Sequence, residues 1–152
     1  MTTREEMVDQ IERSMTANQA EAQKEVERIQ LAASNYARLA TKLESLLPSL
    51  VKALDKAGLG IDSFGYSASQ DSTSLSVSIR AKPTSGKFKF IQFAGYDSRG
   101  CGKNRQRLED KAGKLESALT DAMDVRVRVN PCSLEIKDIA KDKFVMIDFC
   151  VR

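Results

Sequence analysis

The first third of this chain is almost free of strand signals and helix breakers, and that constrains its fold more than any other feature. Residues 4–57 hold one proline, Pro48, no glycine, and an apolar residue at every seventh position: Val8, Met15, Ala22, Ile29, Tyr36, Leu43 and Leu50. A second series starts at Ile11, lapses at Asn18 and Glu25, and resumes as Ala32, Leu39, Leu46 and Ala53. A third, Val26, Ala33, Ala40, Leu47 and Leu54, widens the same face. Repeats of this kind lay an apolar stripe along a helix and allow left-handed packing against another helix. A helix over residues 26–47 alone would run about 33 Å, more than a short sheet covers. The arm is therefore expected to pair with its copy in a homo-oligomer, with Met15, Ala22, Ile29, Tyr36 and Leu43 at the interface. The competing arrangement folds the helices back over the sheet of the same chain.

One or two breaks are expected in this helical region. Ser14 or Thr16 can cap a new helix near residues 15–18, and Pro48 removes an amide donor while crowding the preceding turn. Gly58 then supplies a C-cap.

From Ile61 the apolar period switches towards two. Phe64, Tyr66 and Ala68 alternate with small polar residues, and Leu75, Val77, Ile79 and Ala81 do so more regularly. The turn-forming segment 82–86 leads to a third expected strand over residues 87–94. Residues 103–123 read as a helix whose apolar face is Leu108, Ala112, Leu115 and Leu119. Val125, Val127 and Val129 alternate with Arg126 and Arg128, and Pro131 stops that strand. A short strand or irregular edge follows over residues 134–139, then a strong final strand over residues 144–151. Within it Asp148 is expected to be an edge residue or a hydrogen-bonded buried carboxylate.

The fold class that follows is α+β. A long helical arm over residues 1–58 precedes a mostly antiparallel five- or six-stranded sheet with one inserted helix over residues 59–152, in the order β-β-β-α-β-β(-β). Arm and sheet are expected to pack as one unit. In element order alone, and in no characteristic sequence, the layout resembles small dimeric secretion chaperones.

Composition narrows the chemistry. The chain has no His, which excludes Ser-His-Asp and Cys-His nucleophilic catalysis and every histidine-containing metal site. Cys101, Cys132 and Cys150 are odd in number with no CxxC pair, so reduced structural thiols in a cytoplasmic protein are expected, of a bacterial or an infected host cell. Residues 1–9 are polar and acidic with no apolar run behind them, so no secretory signal is expected, and no stretch is apolar enough to span a membrane. The segment GYDSRGCGKNRQR departs from the phosphate-loop pattern GxxxxGK[ST], because Cys101 follows Gly100 and Asn104 follows Gly102-Lys103. No cofactor or metal is expected.

Charge is concentrated. Residues 80–114 carry ten basic and three acidic side chains, a local balance of +7 in a chain of net charge +3. Arg80, Lys82, Arg99, Lys103, Arg105, Arg107, Lys111 and Lys114 are the candidate contacts to an acidic protein or a nucleic acid. The expected function is a non-enzymatic interaction module that blocks or positions a macromolecular partner, as an adaptor, a chaperone or a viral or mobile-element inhibitor does. The alternatives are a nucleic-acid-binding protein using the basic surface of residues 80–114, and an enzyme with a histidine-independent mechanism.

Overall fold

The computed structural model describes residues 3–96, 102–137 and 143–152. Its first element, α1 (Arg4–Lys56), is one continuous helix of 53 residues. Thr3 and Glu6 close a capping box at its start, which satisfies two of the amides that a helix N-terminus leaves open. Neither expected break occurs. At the first, the Thr16 hydroxyl turns back to the Glu12 carbonyl at 2.9 Å and the helix continues. At the second, Pro48 lies on the exposed side of the helix, and the helix continues through it although it donates no amide. Leu39 before it and Leu50 and Leu54 after it are buried on the other side, and that packing holds the helix through the proline.

Among the described residues, six strands and a second helix follow. They are β1 (Leu59–Ala68), β2 (Leu75–Pro83), β3 (Ile91–Gln92), α2 (Arg105–Met123), β4 (Val127–Val129), β5 (Glu135–Ile136) and β6 (Val145–Val151). A 3-10 turn, Pro131–Leu134, leads into β5. The fold is α+β with a mostly antiparallel sheet. Four strands form that sheet in the order β1-β2-β6-β4, while β3 and β5 form a separate parallel pair. The third expected strand thus shrinks to two residues. Phe88 and Phe90 instead stack edge to face at 5.3 Å and lie half-buried against the core.

The core lies between the helices and one face of the sheet. Leu39, Leu50 and Leu54 of α1 join Leu108, Leu115 and Leu119 of α2 and the inward residues Val77, Ile79, Val127, Ile147 and Phe149. Asn104, 2% exposed, ties the small strand pair to α2. Its amide donates to the Gln92 carbonyl and, at 3.0 Å, to Glu135.

The turn from α1 into β1 depends on Gly58, whose φ is +80°. A Cβ there would sit 3.0 Å from both Lys87 Cβ and the Phe88 amide nitrogen. Gly58→Ala is expected to destabilise the fold by about 1–2 kcal/mol from the left-handed backbone alone, with the close contacts adding to it. Urea unfolding checks this, and an unchanged midpoint would contradict it.

Candidate assembly and binding surfaces

α1 presents two apolar faces, and only one belongs to its own core. Leu39, Leu50 and Leu54 are buried, with Leu43, Leu46 and Ala53 packed partly against them. Roughly a quarter turn away at 100° per residue lies a second row: Val8, Ile11, Met15, Ala22, Val26, Ile29, Ala33, Tyr36, Ala40, Leu47 and Val51, all exposed. Ile11, Met15, Ile29 and Val51 leave 53–58% of their surface open. Every residue from Thr3 to Leu31 is exposed, so the first half of the helix projects as an arm.

Helical geometry separates the two faces. A strict seven-residue series drifts about 20° per repeat around a straight helix. The series that starts on the open side at Val8 therefore rotates into the chain's own core by Leu43 and Leu50. The exposed row runs almost parallel to the axis, since Val8 and Val51 fall within about 20° of each other at 3.6 residues per turn. Of the expected interface residues, Met15, Ala22, Ile29 and Tyr36 lie in this open row, whereas Leu43 is partly buried by its own chain.

The open row has a neighbour on the sheet. In the β1–β2 register Phe64 faces Ile79 and Tyr66 faces Val77, so both aromatics point to the side of the sheet on which the helices lie. No helix among the described residues buries them, and they remain 62% and 56% exposed. Hydrogen bonding with the Tyr66 hydroxyl, helped by desolvation, raises the Tyr36 phenol above the ordinary tyrosine value. On the opposite flank of α1, Lys52, Ala53 and Lys56 share a crevice with Ala118 and Ala122 of α2. The helix layer thus runs α2, α1, then an apolar trough over β1.

Among the described residues, the expected basic contacts do not converge on one surface. Arg80 and Lys82 alternate with the buried Ile79 and Ala81, so they project from the sheet face opposite α2. There Arg80 lies 5.9 Å from the Phe144 ring centre. Lys111 stands over Phe88 at 4.5 Å and donates to the Lys89 carbonyl; burial first, then Arg107, lowers its pKa. The Arg107 guanidinium donates to Asn104 at 3.5 Å. Arg105 pairs with Glu109 at 3.1 Å, beside a 640 Å³ cleft that Tyr96, Cys132 and Lys137 also line. Lys103 and Lys114 are exposed. Arg99 and Cys101 lie outside the described residues, as does the rest of the stretch 97–101 within GYDSRGCGKNRQR.

A denser basic group forms on the open sheet face. Arg126, Arg128 and Arg152 line a shallow groove of 680 Å³ with Ser76, Ser78, Asp148 and Cys150, and Arg80 shares that face through the β2 alternation. Asp148 sits opposite Arg128 and accepts a hydrogen bond from Ser78. It is exposed and shares the groove with three arginines. The alternation of Arg126 and Arg128 with valines was the signal in the sequence, but the cross-strand partners that gather them with Arg152 were not visible there.

Among the described residues no group of acidic and thiol side chains could hold a metal ion. No helix among them is long and apolar enough to cross a membrane. Comparison with protein-family models, with curated proteins and with solved structures finds no match to this chain.

Proposed function

We propose that this chain is a non-enzymatic interaction module whose projecting helix joins copies of itself and whose sheet domain presents a surface to a macromolecular partner. Binding blocks or positions that partner without covalent chemistry. The observation that supports this reading most is the exposed apolar row of α1, from Val8 to Val51. Contiguous apolar surface of that extent marks an interaction site. The free thiols Cys132 and Cys150 fit work in a reducing cytoplasm. Light scattering over a concentration series tests the assembly half: a mass above that of one chain supports it, and a single-chain mass throughout removes it.

A second reading, nucleic-acid binding, is favoured by the open sheet face. Arg126, Arg128 and Arg152 line a groove with Asp148, Ser76 and Ser78, and Arg80 shares that sheet face. Small side chains let a phosphate backbone approach, and four guanidiniums supply the bidentate donors that phosphates accept. If this face binds single-stranded RNA or DNA, affinity falls as salt rises, with a log–log slope of about −0.7 per phosphate contacted. Arg126→Glu with Arg128→Glu is then expected to weaken binding by at least about tenfold and to flatten that slope by about 1–2. Absence of binding to single- and double-stranded probes at low salt would reject the reading.

A further inference from the structure

From the placement of the open row of α1 beside the trough over β1, we infer that a second copy of this chain docks antiparallel, with Ile29 at the two-fold axis and each arm lying over the partner's Phe64 and Tyr66. This rests on the self-assembly reading above and gives it one geometry. The first observation is register. With Ile29 opposite its own copy, residues facing each other sum to 58, so Ala22 meets Tyr36, Met15 meets Leu43, Ile11 meets Leu47 and Met7 meets Val51. Exposed apolar side chains thereby meet at Ala22–Tyr36 and Ile11–Leu47, and Met15 meets the partly buried Leu43, while Ala33 and Ala40 face Glu25 and Asn18.

Length agrees with register. The first contacts of α1 with the sheet hairpin are Arg28 to Asp71 and Asn35 to the Asp71 carbonyl, both at 3.4 Å. Residues 4–27 therefore project as about 36 Å of helix, and residues 28–56 run along the sheet for about 44 Å. A projecting arm of that length spans most of the sheet-backed half of a partner. In this pairing the two hairpins approach each other near the axis, and each sheet lies at an opposite end of the dimer.

Charge selects the direction. Residues 4–12 hold Glu5, Glu6, Asp9 and Glu12 against Arg4. Opposite them in the antiparallel register are residues 46–54, which contain Lys52 and no acidic side chain. In a parallel pair each acidic arm would instead face its own copy, which is repulsive. The helices would touch over about 66 Å. With Phe64 and Tyr66 as floor, a contact of that length reaches on the order of 800 Å² per partner, the size of a stable interface.

Spin labels distinguish the arrangements. In a chain with its three cysteines replaced by serine and circular dichroism unchanged, Met15→Cys carries the label for a pulsed dipolar distance measurement. The antiparallel register expects about 42 Å between backbones at this position, before allowance for the label's reach. It also expects about 8–10 Å at Ile29→Cys. Phe64→Asp, at an exposed position, is expected to raise the dimer Kd at least tenfold, and an unchanged Kd would remove β1 from the interface. A distance near 10 Å at Met15 would mean a parallel pair and overturn the inference while leaving self-assembly standing. A monomer at every concentration would overturn both.

Discussion

Ile29→Asp is expected to dissociate the assembly and leave the chain folded. Ile29 is 54% exposed in the single chain, and surface changes of this kind usually alter stability by less than about 0.5 kcal/mol. In the pair, the two introduced carboxylates would be buried near the axis with like charge opposite. An unpaired buried charge costs about 3–5 kcal/mol, which raises Kd by at least about 100-fold at 1.4 kcal/mol per decade. Sedimentation gives the mass and far-ultraviolet circular dichroism the helix content. Retained association would show that the open row is not the interface, and lost helix content would show that Ile29 supports the fold of its own chain.

Leu50→Ala gives the opposite outcome. Leu50 is fully buried just beyond Pro48, where its packing offsets the missing helical hydrogen bond. Truncating a buried leucine costs about 2–5 kcal/mol through lost transfer energy and the cavity left behind. Its neighbour Val51 is 53% exposed, so Val51→Ala should leave single-chain stability nearly unchanged and weaken association instead. Chemical denaturation of the two variants in the Ile29→Asp background separates folding from assembly. Equal destabilisation by both would contradict the two-faced description of α1.

Much of the fold was legible from periodicity. Alternation located β2 and β6 because each buries one side regularly, and the face of α2 was readable from Leu108, Ala112, Leu115 and Leu119. The extent of α1 was less legible. Local rules place a break at Pro48, yet packing on both sides of it in sequence outweighs that preference. The segment around Phe88 and Phe90 alternates like a strand, but its backbone finds a pairing partner only at Ile91–Gln92.

The surfaces were harder to read than the fold. Seven-residue counting marked the right part of α1 without separating its faces, because the Val8 to Leu50 series begins in the open row and ends in the core. The basic excess of residues 80–114 was plain in composition, but strand pairing divides it between opposite sides of the sheet. That same pairing gathers Arg80 and Arg128 with Arg126 and Arg152, which flank β4 and β6, from segments far apart in sequence.

Sedimentation equilibrium of the full chain, over about a hundredfold range of concentration, bears most directly on whether a second copy covers the open row of α1. Two chains of 16.8 kDa should form one particle, dissociating on dilution by mass action and after Ile29→Asp. A mass of 16.8 kDa at every concentration would contradict self-assembly, and with it the antiparallel dimer.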